Sequence, residues 1–275
     1  MPFPLDLELA AGHFRAHRFG AEGGRLTICV HGLSANSRSF DYLGESLSLP
    51  GSTVVAMDLR GRGWSEITAP GTYGWANHAR DVVHVAMALG ATTFDYVGHS
   101  MGAYVGMELA RRAPDRVRRL ALIDAIGAPE PAAMPSIFAA VARLGASHTD
   151  ADAYIAAVKK LGTIEPWNAT WETHYRYDLV RSGQSVASRT DKAAVMEDVA
   201  YAGGQQPRTF WPRLTMETLL LRAGVPLGGG FIVSEEDRRS FLSTAPRARA
   251  VDVMANHYGI MTDPTSAEHL RNFFK

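Results

Sequence analysis

The stretch TTFDYVGHSMGAYV, residues Thr92 to Val105, decides how this chain is read. Its first half is β-branched and aromatic, the composition of a strand, and its second half opens the helix-like run MGAYVGMELARRAP. Between them Gly98-His99-Ser100-Met101-Gly102 fits G-x-S-x-G at a strand-to-helix bend. Such a bend forces its central residue into a strained backbone conformation, while flanking glycines let strand and helix approach closely. Ser100 is therefore expected at the carboxyl edge of a sheet. There the amino end of a helix, with its free N–H groups and dipole, favours developing negative charge. A hydroxyl residue at that point reads as a presented nucleophile.

Outward from this bend the chain alternates. LDLELAA and HFRAHRF suit an opening hairpin, and RLTICV, TVVAMDL, TFDYV, RRLALIDA, ETLLLRA and ARAVDVM read as strands. Several are apolar throughout, as strands covered on both faces are. WANHARDVVHVAMALG, MGAYVGMELARRAP, SEEDRRSFLSTAP and TSAEHLRNFFK read as helices between or after them. This order predicts an α/β fold with a doubly wound, mostly parallel sheet. From about Ala128 to Pro212 the alternation stops. PSIFAAVARLG, ADAYIAAVKKLG, WNATWETHYRYDLV and DKAAVMEDVAYAG are helix-like and no convincing strand separates them. A structureless connection of that length is rare, so a helical lid is expected.

The 275 residues include 46% hydrophobic and 20% charged side chains, with 28 basic against 28 acidic, the balance of an ordinary globular protein. No polybasic patch argues for nucleic acid or an anionic membrane surface. The single cysteine, Cys29, lies in LTICV and reads as a small buried hydrophobe. The N-terminus lacks the basic start and apolar stretch of a secretory signal, and no window reaches the roughly 18 apolar residues of a spanning helix. A cytoplasmic location is the expectation. The histidines show no metal-ligand spacing, and Gly228 to Gly230 lacks the dinucleotide fingerprint, so neither metal nor organic cofactor is expected.

Three further motifs follow strands. His31-Gly32 follows RLTICV, Asp58-Leu59-Arg60-Gly61-Arg62-Gly63-Trp64-Ser65 follows TVVAM, and Asn256-His257-Tyr258-Gly259 follows ARAVDVM. In this order, with the serine motif, they resemble the α/β-hydrolase superfamily, in particular its lidded esterase, lactonase and epoxide-hydrolase-like branch, over nearly the whole chain. The resemblance implies an eight-stranded sheet, a core formed by residues 1–127 and 213–275, and a helical cap over residues 128–212.

A serine hydroxyl needs a base and a group that orients the base. His257 fits as base, combining a post-strand loop with the chain order expected of the superfamily. His31 resembles the histidine of the family's oxyanion loop, whose work is structural. His99 is expected to point away from the nucleophile, and His78 and His84 to pack or face solvent. The orienting acid often follows the penultimate strand, but after ETLLLRA no carboxylate occurs before Glu235, which with Glu236 and Asp237 reads as the start of a helix. Asp124, in LALIDAIG, stands where several branches of the superfamily keep the acid instead. It is favoured, although an aspartate there also suits a turn cap. Backbone N–H groups of Leu33 and Met101 are expected to form the oxyanion hole. Ser34 reads as a turn former, and Asp58 with Arg60 as structural.

Trp167, Trp171 and Tyr175 recur every fourth residue and would share one helix face, either packing the lid or walling the pocket over Ser100. Met134, Phe138 and Leu144 are further wall candidates. Dehalogenases and epoxide hydrolases of the superfamily carry an aspartate at the elbow; a serine there points to acyl transfer. Hydrolysis of a small carboxylic ester or lactone, without nucleic acid or membrane as partner, is the expected activity. Acyl transfer to another alcohol, perhydrolysis, C–C hydrolysis, and a receptor-like role in which the lid binds a partner remain alternatives on the same scaffold. Composition and motifs leave the oligomeric state open.

Overall fold

A computed structural model describes residues 2–275. The strands β1 (Phe3–Leu9) and β2 (Gly12–Phe19) form the opening antiparallel hairpin. Then follow β3 (Arg25–Val30), α1 (Asp41–Leu47), β4 (Ser52–Met57), α2 (Trp75–Ala88), β5 (Phe94–His99), α3 (Met101–Arg112) and β6 (Val117–Ile123). Before the next strand of the same sheet come α4 (Met134–Ala142), α5 (Ala151–Lys160), α6 (Ala169–Tyr177), a hairpin of β7 (Leu179–Ser182) and β8 (Ser185–Ser188), and α7 (Lys192–Gly203). The chain closes with β9 (Glu217–Ala223), α8 (Glu235–Thr244), β10 (Ala248–Val253) and α9 (Pro264–Phe274).

Eight strands make one sheet in the order β1-β2-β4-β3-β5-β6-β9-β10, parallel from β4 to β10. The strand period of two divides the core between its faces. Ile28, Val55, Tyr96 and Leu122 pack on one side with Val82 of α2, Met107 of α3 and Phe241 of α8. Cys29, Val54, Val97 and Ala121 pack on the other with Leu43 of α1 and Leu270 of α9. Helices on both faces explain why these strands read as unbroken apolar runs. No helix among the described residues is long and apolar enough to cross a membrane.

Two elements differ from the sequence reading. The helix α1, DYLGESL, is short and carries an internal glycine, which hides its helical pattern. The run WNATWETHYRYDLV is not one helix: α6 begins only after Asn168, whose side chain caps Thr170 and Trp171, and it ends at Tyr177. There the Asp178 carboxylate accepts the Ser188 hydroxyl at 2.8 Å and the Thr190 hydroxyl at 2.7 Å, while its carbonyl accepts Arg189 N–H at 2.7 Å. These bonds draw the chain into the β7–β8 hairpin instead of a further helical turn.

The parallel strands all point one way, so the residues just past β3, β5, β6 and β10 gather at one edge of the sheet. That edge is where open α/β sheets form their crevices.

Candidate active site

Ser100 joins β5 to α3 with φ 55° and ψ −120°, and its N–H donates to Ile123 O at 3.0 Å. The glycines beside it are required by space. A Cβ on Gly98 would stand 2.2 Å from Gly102 O, and one on Gly102 would stand 2.1 Å from Val30 O. Both clashes are with backbone, which cannot step aside, so strand and helix meet only if both positions are glycine. Ser100 and Asp124, at φ 50°, are the two non-glycine residues with positive φ among the described residues. Each such conformation costs about 1–3 kcal/mol and persists where surrounding structure imposes it, typically at functional sites.

Asp124 follows β6 and is buried. His257 Nδ1–H donates to its Oδ2 at 2.8 Å, and Ala223 N–H, at the end of β9, donates to its Oδ1 at 2.9 Å. The end of β9 thus contributes a backbone donor at the place where the sequence offers no acid. With Nδ1 donating, the His257 tautomer leaves Nε2 as an acceptor. The loop holding this ring is braced by Asn256, whose Oδ1 accepts from Tyr258 N and Gly259 N at 3.0 and 2.8 Å. Glu235, Glu236 and Asp237 occupy the first turn of α8, where they pair with Arg222, Arg238 and Arg208.

The loop after β3 comes so close to the elbow that a Cβ on Gly32 would lie 3.1 Å from Ser100 Cβ. His31 fixes this loop: its Nδ1–H donates to Gly32 O at 2.8 Å, and Leu59 N–H donates to its Nε2 at 3.0 Å. Leu33 and Ser100 line the same two cavities. Met101, the first residue of α3, carries one of the N–H groups that a helix cannot satisfy internally. Leu33 O in turn accepts Arg62 Nε–H at 3.2 Å, and Arg62 Nη2 is 2.5 Å from Asp198 Oδ2 on α7. Burial alone would raise the Asp198 carboxyl, yet His78 and Arg62 beside it hold it below the usual carboxylate range. His78 is therefore a buried partner of Asp198 at 3.0 Å, not a surface residue. Asp58 accepts Ser37 N–H, Trp64 N–H and the Tyr177 hydroxyl at 2.7, 2.9 and 2.8 Å, and Arg60 pairs with Asp81. Both are buried loop braces.

His99 is turned to the loop that carries His257. Its ring stands 4.5 Å from that of His257, its Nε2–H donates to His257 O at 2.9 Å, and it lines the same narrow cavity as Ser100 and His257. A buried imidazole needs a polar partner, and the His257 carbonyl supplies it.

Ser100 stands where two cavities meet. The narrow one also holds Leu33, Ser34, Arg143, Trp171, Tyr175 and Tyr258. The wider one is apolar and includes Leu33, Trp75, Met101, Tyr104, Met134 and Phe138. Trp167 lines neither: it precedes α6, stacks on Tyr175 at 5.7 Å and donates its indole N–H to Glu172 at 3.0 Å. Leu144 packs inward against Val141 and Val195. Arg143, absent from the sequence reading, had no local signal there, since one arginine after a helix reads as a solvated terminus.

Burial holds four imidazoles neutral: His17 is pushed down to about 4, His31 to about 3, and His99 and His174 well below 6.5. Unfolding frees each to take a proton, so below its ordinary value the unfolded chain binds more protons and stability falls as pH falls. His31 alone is expected to remove about 2 kcal/mol between pH 7 and pH 5. Urea unfolding at the two pH values should show a much lower midpoint at pH 5. Equal midpoints would contradict buried neutral imidazoles.

A family model described as alpha/beta hydrolase fold matches residues 27–174. The 2-hydroxymuconate semialdehyde hydrolase of Pseudomonas putida is 33% identical over 128 residues, covering 46% of this chain and 46% of that protein. N-formylmaleamate deformylase of the same species is 33% identical over 131 residues, covering 46% and 48%. The matches thus span about half the length of these relatives. Among solved structures, E-2-(acetamidomethylene)succinate hydrolase superposes with a TM-score of 0.88 at 22% identity over 100% of this chain and 99% of that one. The enol-lactonase of Burkholderia xenovorans superposes at 0.72 with 18% identity over 98% and 99%. At these identities the superpositions speak for the fold alone.

Proposed function

Because the chain belongs to the α/β-hydrolase fold family, we propose that it is a serine hydrolase that cleaves carboxylic esters or lactones through an acyl-enzyme, with residues 128–212 as its cap. The observation that carries this reading is the 2.8 Å Asp124–His257 hydrogen bond in a loop cluster whose cavity also holds Ser100.

In this mechanism Ser100 Oγ attacks the acyl carbon and gives its proton to His257 Nε2. Asp124 holds the ring in the tautomer that accepts it and stabilises the imidazolium. The N–H groups of Leu33 and Met101 meet the oxyanion. The tetrahedral intermediate collapses, the bond to the leaving alkoxide breaks, and His257 returns the proton to it. Water then attacks the acyl-enzyme, His257 takes its proton, and the carboxylic acid leaves as Ser100 is restored. The same steps cleave an N-acyl bond with an amine as leaving group, a second reading favoured by the similarity to N-formylmaleamate deformylase.

A chromogenic short-chain ester should release a burst of alcohol equal to the enzyme present, with the acyl mass on the peptide carrying Ser100. Absence of burst, adduct and turnover across esters, lactones and N-acyl amides would reject the reading in favour of a ligand-sensing role.

A further inference from the structure

We propose that the narrow cavity beside Ser100 holds a carboxylate of the substrate, bound by Arg143. The inference rests on the serine-hydrolase reading and narrows its substrate to an ester carrying a free carboxylate in one half.

Arg143 caps the C-terminal end of α4 and shares the cavity with Ser100 and His257. Its guanidinium meets only neutral partners. Nη2 donates to Ser34 O at 2.9 Å, Nη1 donates to the Tyr154 hydroxyl, and the Tyr175 ring lies 5.0 Å from its central carbon. Its Nε–H is buried and without a partner. Among the described residues Arg143 forms no ion pair, whereas the buried Arg60 and Arg62 each hold a carboxylate at 2.5 Å. Asp178 acts on it electrostatically without forming an ion pair with it; its carboxylate accepts the Ser188 and Thr190 hydroxyls.

No carboxylate lines the cavity among the described residues, while His99, His174 and His257 do. A guanidinium stays charged at any working pH, and a half-buried charge without an ion-pair partner is costly. A ligand anion entering the cavity supplies the direct ion-pair partner that the fold withholds. Burial raises the Tyr175 and Tyr258 phenols, so both stay protonated and can donate to the same anion. A two-oxygen carboxylate suits the remaining N–H groups of the guanidinium. The wider apolar cavity on the other side of Ser100 then receives the uncharged half.

The test compares mono-4-nitrophenyl glutarate with 4-nitrophenyl valerate, which share acyl length and leaving group. The wild type should favour the glutarate ester in kcat/KM by about tenfold or more, the worth of one charge-assisted hydrogen-bond set. Arg143→Gln should erase this ratio and Arg143→Lys should restore part of it. A wild-type ratio near one, or a ratio unmoved by Arg143→Gln, would overturn the proposal.

Calorimetry with glutarate itself separates this failure from failure of the hydrolase reading. Glutarate binding that is lost in Arg143→Gln and kept in part in Arg143→Lys supports the carboxylate site even if neither ester is hydrolysed. Binding of inorganic phosphate but not glutarate would overturn the carboxylate assignment.

Discussion

Asp124→Asn is expected to lower kcat on the order of 10⁴-fold while leaving the fold intact. The carboxylate does two jobs: Oδ1 accepts Ala223 N–H, and Oδ2 accepts the Nδ1–H of His257. An amide can keep its carbonyl oxygen on only one of them. If it stays on Ala223, the amide N–H₂ faces His257 and favours the tautomer with the proton on Nε2, which cannot receive the serine proton. The substitution is mild for the backbone, since asparagine is among the residues that best tolerate the φ of 50° found here. Circular dichroism and thermal unfolding should therefore match the wild type while turnover collapses. Undiminished turnover would remove Asp124 from the mechanism and return attention to the first turn of α8.

Ser100→Ala is expected to cost on the order of 10⁶ in kcat, with a residue of catalysis left to the oxyanion donors and binding. Loss of activity alone would not separate a lost nucleophile from a damaged elbow, and Ser100→Gly makes that separation. At φ 55° and ψ −120° any side chain is strained, and glycine is not. The glycine variant should therefore unfold at higher denaturant than the alanine variant, by about 1–3 kcal/mol, while both are inactive. An enzyme that lost activity without this ordering of stabilities would have a relaxed elbow. Activity persisting in either variant would mean that another group attacks the substrate.

Much of this protein was legible in its residues because the relevant signals are local. Apolar runs such as RLTICV and ETLLLRA announce strands buried on both faces, and GHSMG announces a tight strand-to-helix bend, since both depend on neighbours a few positions away. The helix α1 and the β7–β8 hairpin escaped for the same reason in reverse. One carries a glycine inside a short helix, and the other forms because Ser188 and Thr190 return to Asp178.

By itself the sequence determined the alternation of strands and helices, the bend at Ser100 and the order of the loops that could bear chemistry. Tertiary structure alone decided what those loops meet. Asp124 and His257 lie 133 positions apart and touch because β9 lies between β6 and β10 at one edge of the sheet. The same folding turned His99 toward His257, left Trp167 outside both cavities, and set Arg143 beside Ser100 without a carboxylate of its own. A residue's partners are chosen by the packing of distant segments. A side chain can therefore end in solvent or beside the serine of the elbow, according to which strands the sheet places side by side.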